Sequence, residues 1–528
     1  MASNQSEPLF RNAKIPVEMI TTEIMDNVEK VEPSNKSVQE SGKYRQIAAA
    51  FIMNIGGFIY GMVIGWTSPM IPQLQSENSP IGGSPISDEV ASWLGGFVCV
   101  GALVGTPFFG TASEKFGRKV SGCLVAVPLG ICWLIKVFAT DQNYLFAARC
   151  FGGFGGAGVV LVVPLYVAEM SSIKIRGTLG SFLVFFINIG VVVGYILGAV
   201  VSFRVFAICA SVLPMIYLSG VIFLPETPIY LVRKERMADA RRSLLWLRGG
   251  NREVADRELI FLNTLAKESI ASQQKVGFRD LFKNRATVKG LAIALFLFSG
   301  QQFCGIFAMI SYSSTIFEAS GSTLAPNTAA IIIGVIQVFA SYLSLVLMDR
   351  AGRRLLVLIS CAGMGVCHFA IGSFSYFQIR EYEVSSFAWI PLVAFSIYVV
   401  MYALGMGPAP YIVATEIFSP EISGLANSVS LMLLWASAFV VLKFFSNVVA
   451  LIGMDGCFFL FAAFCACTFI LSWFMLPETK ERSIDSILEE LDGKSLRKFS
   501  KSAKQIITSE IGVDAGRNSS KLPEPVQV

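Results

Sequence analysis

Apolar runs of about twenty residues recur along most of the chain, broken by short polar turns. A bilayer core needs roughly 20 apolar residues per helix. The pattern predicts twelve such helices, at 46–66, 90–112, 120–140, 144–168, 178–202, 204–224, 287–314, 328–348, 355–377, 386–415, 424–452 and 456–476. An even number places both termini on one side. Loops 69–89 and 316–327 carry acids but no Lys or Arg, whereas the alternate turns hold Lys115, Arg118, Lys119, Lys174, Arg176, Arg350, Arg353 and Arg354. The positive-inside rule therefore predicts that the basic turns and both termini are cytosolic. The turn around 416–424, without a positive charge, is the exception.

The largest interruption is 226–286. There MADARRSLLWLRG and REVADRELIFLNTLAKES place apolar residues at helical spacing among charges, which predicts short amphipathic helices linking two halves. Residues 1–45 and 498–528 are polar and unpatterned and read as tails, the first too polar for a signal peptide. The expected organisation is a tail at 1–45, a six-helix bundle at 46–225, the helical linker at 226–286, a second bundle at 287–477 and a terminal segment at 478–528.

Composition narrows the class. The chain is 54% hydrophobic and 15% charged, against about a quarter charged in soluble domains. The net charge of +5 sits in turns and tails rather than in one stripe, which argues against a nucleic-acid partner. Most of the cysteines lie within apolar segments, where they act as small hydrophobes. No nucleophile–base or metal constellation stands out, so neither an enzyme nor a cofactor is expected. The single histidine, His368, lies in an apolar run and reads as a buried bystander. Lys136 and Lys443 are expected to snorkel to the outer interface.

The polar punctuation repeats. GTASEKFGRK (110–119), PLYVAEMSSIKIRG (164–177) and PETP (225–228) in the first half return as MDRAGRR (348–354), PYIVATEIFSPEISG (410–424) and PETK (477–480) in the second. An internal repeat in a hydrophobic chain is the signature of a two-bundle transporter with its site between the halves. With QQFCG at 301–305, these motifs resemble the sugar-porter family of the major facilitator superfamily over about 46–480. SLLWLRG (243–249) after PETP, and Asn188-Ile-Gly in the fifth span, look most like the insect trehalose-facilitator-like members.

The resemblance implies an all-α membrane protein of two pseudo-symmetric six-helix bundles with an intracellular helical domain. It also implies a salt-bridge latch at the cytosolic end, closed when the site faces out. Its members here are Glu114, Arg118, Lys119, Glu169, Arg176 and Glu226, then Asp349, Arg353, Arg354, Glu416 and Glu478. Ser423 replaces the second copy's arginine, so a looser second cluster is expected, with Glu416 relying on Arg353 or Arg354.

A sugar needs amides and hydroxyls for its ring hydroxyls and an aromatic surface for its faces. Gln301, Gln302, Gln337, Tyr312 and Trp435 match sugar-contacting or gating positions of the family. Other family positions have lost their polar groups: Val184, Phe307, Leu434 and Ala438 stand where amides are expected, and Tyr411 where a tryptophan is. Asn188, one turn from Val184, is a partial replacement. The pocket is thus expected to be less polar than a glucose site. Interruptions of the helices are expected at GG (56–57) and GMGPAP (405–410), and close packing at GFGGAG (153–158).

Proton-coupled members carry an Asp in the first span where this chain has Val63, so uniport of a sugar, trehalose or a hexose among the candidates, is expected. A proton-coupled symporter and a non-transporting sugar sensor are the alternatives. The remaining expectations are a multi-pass protein of the plasma membrane, with lipid around it, in which a monomer suffices for transport.

Overall fold

A computed structural model describes residues 42–492 apart from 83, 272–277, 320–323, 481 and 483, with a few helical side chains, Asp349 among them, outside the described set. Residues 1–41 of the tail predicted at 1–45, and the whole tail predicted at 498–528, lie outside the described residues, and the first helix begins at Lys43, inside the predicted tail.

The described chain is helical throughout. The first half comprises α1 (Lys43–Gly65), the short α2 (Thr67–Leu74), α3 (Asp88–Phe116), α4 (Arg118–Val137), α5 (Gln142–Met170), α6 (Ile173–Gly180), α7 (Phe182–Val200) and α8 (Phe203–Ile222). Three amphipathic helices follow: α9 (Pro228–Arg233), α10 (Met237–Leu247) and α11 (Arg252–Ala271). The second half holds α12 (Arg285–Phe303), α13 (Ile306–Ser311), α14 (Ser313–Ala319), α15 (Pro326–Ala351), α16 (Arg353–Ile379), α17 (Ile390–Leu404), α18 (Ala409–Glu416), α19 (Pro420–Met475) and α20 (Ile484–Asp492).

Among the described residues, eleven helical stretches are long and apolar enough to cross a membrane. The last of them runs for 54 residues, about 80 Å at 1.5 Å per residue, more than twice a hydrocarbon core of about 30 Å. Gly453 interrupts it with φ 79° and ψ 168°. That glycine falls between the predicted spans at 424–452 and 456–476.

Glycine spacing brings the helices of the first half close together. A Cβ on Gly153 of α5 would lie 1.7 Å from the Val98 carbonyl of α3, and one on Gly101 of α3 would lie 1.9 Å from the Cys150 carbonyl of α5. The GFGGAG run is therefore a packing surface, as expected. The expectation at 56–57 fails. Helix α1 runs unbroken through Gly56 and Gly57, whose faces meet Tyr217 and Leu183 side chains. These glycines give room to neighbours and need no unusual backbone angle. The interruption falls instead at Trp66, between α1 and α2.

The second half is where spans break outright. The seventh stops at Phe303 and restarts at Ile306, with Gly305 at φ 86°. The tenth stops at Leu404 and restarts at Ala409, across the predicted GMGPAP.

Lys136 and Lys443 do not snorkel. Lys136 is fully buried, its Nζ 4.0 Å from the ring centroids of both Trp66 and Trp133. Lys443 is buried too, with Nζ 2.8 Å from Ser92 Oγ and 4.6 Å from the Trp93 ring. The indole faces offset part of the cost of taking these ammonium groups out of water.

Gly153→Val is expected to cost about 3 kcal/mol or more through overpacking and to abolish a monodisperse peak on size-exclusion chromatography in detergent. Gly177→Ala, at a helical glycine facing open space, is expected to leave that peak unchanged.

Candidate functional site

Helices α4 and α16 each begin just after a glycine with positive φ, Gly117 (100°) and Gly352 (87°). A helix N-terminus presents unpaired N–H groups and a partial positive charge, and so attracts an anion. In the first half Glu226 of the first Pro-Glu-Thr motif supplies it. Its Oε1 accepts from the backbone N–H groups of Arg118 and Lys119, both at 3.0 Å, and of Thr227 at 2.9 Å. In the second half Glu478 accepts from Arg353 N–H at 3.0 Å, Arg354 N–H at 3.2 Å and Thr479 N–H at 3.0 Å. The glycines are required for access. A Cβ on Gly117 would sit 2.2 Å from Glu226 Oε2, and one on Gly352 2.7 Å from Glu478 Oε2.

The motif threonines bind the next pair of carboxylates. Thr227 Oγ1 donates to Glu169 at 2.6 Å, and Thr479 Oγ1 to Glu416 at 2.6 Å. Each of these glutamates also meets the arginine that opens its helix: Arg118–Glu169 at 3.0 Å and Arg353–Glu416 at 3.0 Å. Arg118 is buried, reaches Glu114 at 2.9 Å, donates to the Ser113 carbonyl and lies 5.2 Å from the Tyr230 ring. Burial pushes the Glu226 carboxyl above the ordinary glutamate value, against the pull of its N–H donors and of the Arg118 charge.

Most of the expected latch residues thus come together, but as two clusters, each built within one half. Lys119 joins through its backbone N–H alone, and Arg354 turns to the Trp473 carbonyl at 2.6 Å. Arg176 reaches only the Ser171 carbonyl among its side-chain contacts, at 3.4 Å. The threonine–glutamate–arginine links recur in the second cluster, where the pair is more exposed, with the Arg353 and Glu416 side chains at 13% and 28% against 1% and 8% for Arg118 and Glu169. Asp349's side chain lies outside the described residues. The helix-capping part played by Glu226 and Glu478 was missed in the sequence. Its signal was there: a glycine before the basic pair, and an acid in the motif that closes the same half.

The contacts between halves lie at the other end. Lys443 of α19 meets Ser92 and Trp93 of α3, and Phe439 packs on Trp93 with ring centroids 6.1 Å apart. Ser68 and Ser314 hydroxyls are 3.0 Å apart, and Tyr195 OH donates to the Ile310 carbonyl at 2.7 Å. Nearer the middle, Asn188 Nδ2 donates to Ser341 Oγ at 2.5 Å, and Gln337 Nε2 donates to Asn188 Oδ1 at 3.2 Å. At the basic end Gly177, Gly180 and Gly424 face open space. This arrangement is closed away from the basic loops.

The expected pocket residues divide into three groups. Gln337 and Asn188 are paired with one another across the halves. Gln301 Nε2 is committed to the broken tenth span, donating to the carbonyls of Met406 at 2.9 Å and Gly407 at 2.8 Å. Gln302 Nε2 donates to Gln301 Oε1 at 3.2 Å, which leaves Gln302 Oε1 buried without a partner among the described residues. The aromatics form walls: Trp435 stacks with Phe307 at 6.3 Å, Tyr312 with Phe445 at 4.9 Å, and Tyr411 meets Phe298 edge-on at 5.0 Å. A buried unpartnered acceptor can take a hydroxyl, and a flat aromatic ring can take the face of a sugar.

Known proteins resemble this chain over most of its described length. The family model described as "Sugar (and other) transporter" matches residues 48–491. A facilitated trehalose transporter of Polypedilum vanderplanki is 35% identical over 456 residues, 86% of this chain and 89% of that protein. One of Bombyx mori is 32% identical over 465 residues, 88% and 90% of the two chains. One of Aedes aegypti is 32% identical but longer, the match spanning 94% of this chain and 62% of that protein. Among solved structures, a proton:xylose symporter bound to 6-bromo-6-deoxy-D-glucose has a TM-score of 0.69 at 21% identity, covering 85% of this chain and 99% of that one. An inward-open xylose transporter from E. coli has a TM-score of 0.68 at 20% identity, covering 84% and 99%. These structures bear on the fold.

If the clusters act within separate halves, Glu226→Gln and Glu478→Gln each set an amide NH2 against N–H donors and cost about 1–3 kcal/mol. Their effects on the unfolding midpoint in detergent are expected to add in the double variant. Marked non-additivity would point to a linkage across the halves.

Proposed function

This chain belongs to the sugar transporter family, and from that premise we propose that it carries a sugar across the membrane by facilitated diffusion, with trehalose and hexoses as the candidate substrates. The observation that carries the proposal is Gln302 Oε1, a buried acceptor without a partner among the described residues, in the broken seventh span that also carries Phe307 of the Trp435–Phe307 stack. Breaks in a transporter helix let its two segments move separately around a site near the midplane. We place the sugar between the halves, with Gln302, Trp435 and Tyr312 in contact. Gln337 and Asn188 are released to it when their mutual hydrogen bond opens. The basic end and both termini are taken as cytosolic and the membrane as the plasma membrane, following the loop charges.

Absence of proton coupling is supported locally. Arg149 is a fully buried cation, and it donates to the carbonyls of Val63 at 2.6 Å and Leu94 at 2.8 Å. The Val63 side chain packs where a Cβ on Gly152 would be, at 2.8 Å, one helical turn from Arg149. An acid at 63 would stand near that guanidinium and supply a titratable partner; valine supplies none.

The test is uptake into proteoliposomes of labelled trehalose, glucose, fructose and a polyol, with and without a proton gradient. At least one sugar is expected to equilibrate without accumulating, at a rate indifferent to the gradient. Gln302→Leu is expected to raise KM about tenfold, as for a lost hydrogen bond to a buried acceptor. Val63→Asp is expected to make uptake pH-dependent. Accumulation above equilibrium driven by the proton gradient would overturn the uniport reading, and absence of any uptake would favour a sensor.

A further inference from the structure

The break in the seventh span leaves a backbone carbonyl, that of Cys304, outside the regular helical ladder. Such a group, buried in a membrane protein, needs a donor from elsewhere. Two side chains provide one. His368 of α16 places Nε2 2.9 Å from the Cys304 oxygen, and Tyr398 of α17 donates its hydroxyl to the same oxygen at 3.0 Å. Both are fully buried. The imidazole is wedged against Tyr398 (4.6 Å between centroids), Phe461 (5.4 Å) and Phe458 (5.9 Å). Phe461 also bounds the space at Gly305, where a Cβ would lie 3.0 Å from its ring.

The tenth span's break is held reciprocally. Gln301, one turn before Cys304, takes the Met406 and Gly407 carbonyls, and Ser360 Oγ of α16 accepts from the Met406 N–H at 3.0 Å. The α16 helix therefore reaches both breaks, through Ser360 and His368. The seventh span supports the tenth through Gln301, and the tenth supports the seventh through Tyr398. Gln302 sits inside this lattice, and beyond it run α13 and α14 with Phe307 and Tyr312.

We propose that His368 and Tyr398 are positioning residues for transport, a paired cap on the Cys304 carbonyl that fixes the pivot from which residues 306–319 swing. The cap needs a proton on His368 Nε2. The pair acts through the backbone and touches no sugar. Two donors on one acceptor make the cap redundant. With one removed the carbonyl stays satisfied; with both removed it is a buried acceptor without a partner, and the seventh and tenth spans lose their link at that point.

The proposal rests on the transport reading, so its test has a readout that does not. His368→Phe, Tyr398→Phe and the double variant are compared in detergent for unfolding midpoint and in proteoliposomes for maximal uptake per inserted molecule. Each single variant is expected to lower maximal uptake roughly two- to fivefold, with KM little changed. The double variant is expected to lose more than the product of the two, and its midpoint to fall by more than the sum of the single shifts. His368→Gln, which restores an N–H donor at similar reach, is expected to recover most of the uptake lost in His368→Phe. Multiplicative uptake losses with additive midpoint shifts would overturn the cap. So would a His368→Phe variant equal to wild type while His368→Gln is impaired, since that pattern belongs to packing alone. If the wild type moved no sugar, the midpoint cycle would still decide the cap.

Discussion

The architecture depends on how two helix N-termini are neutralised. Helices α4 and α16 begin beside the membrane with exposed N–H groups and basic first residues, and a carboxylate from the end of the same half closes each. The Gly117–Glu226 and Gly352–Glu478 pairs are steric complements. The glycine at positive φ clears the space that the carboxylate fills. The motif threonine then holds the next glutamate at 2.6 Å in both halves, and that glutamate holds the helix's own arginine at 3.0 Å. In the first half, where Arg118 and Glu169 are both buried, removing one partner strands a buried charge and costs about 3–5 kcal/mol. Each half is thereby tied to its own last segment, and none of these links crosses between the halves.

Mobility between the halves follows from what joins them. The contacts at the far end are hydroxyls, stacked rings and one cation, Lys443, held by Ser92 and an indole. Individually such interactions contribute about 1 kcal/mol, against several for each internal cluster. The helices α3 and α19, and α7 and α15, also pack across the halves, and a bound sugar that favours one arrangement of the two units shifts the population toward it. The linker helices belong with the first unit. Gln46 of α1 donates to the Leu247 carbonyl, Arg248 donates to the Met170 carbonyl, and Arg248 pairs with Glu258 at 2.6 Å. The α20 helix belongs with the second unit through Asp492 and Leu491, which accept from Ala286 and Lys289 of α12.

Much of this was legible in the sequence because membrane helices declare themselves by length and apolarity, and because a duplicated motif reports a duplicated structure. The break at 405–408 was legible from Gly and Pro, and the turn at 453 from the gap between apolar runs. Gly56–Gly57 misled, since a glycine pair serves close packing as readily as a bend. Lys136 and Lys443 misled because a cation near a span's end reads as snorkelling unless the facing indoles are known. Gln301 reads as a sugar ligand by position, yet its amide N–H groups are spent on Met406 and Gly407. Which hydrogen bonds an amide spends internally is a three-dimensional fact. His368 looked inert for the same reason, its partner being a backbone carbonyl freed only by the break at Gly305.

The central claim is that rigid halves, each sealed by its own carboxylate cluster, move against one another about a weak far-end seam. It is tested most directly by distances between spin labels in lipid, one pair at Gly177 and Gly424 across the basic end and one pair at Gly177 and Arg252 within the first unit. Without sugar the cross-half pair is expected to show mainly a long separation, and a transported sugar is expected to add a distinct shorter population while the within-unit distance stays fixed. A cross-half distance that no sugar alters, or a within-unit distance that shifts together with it, would contradict the account.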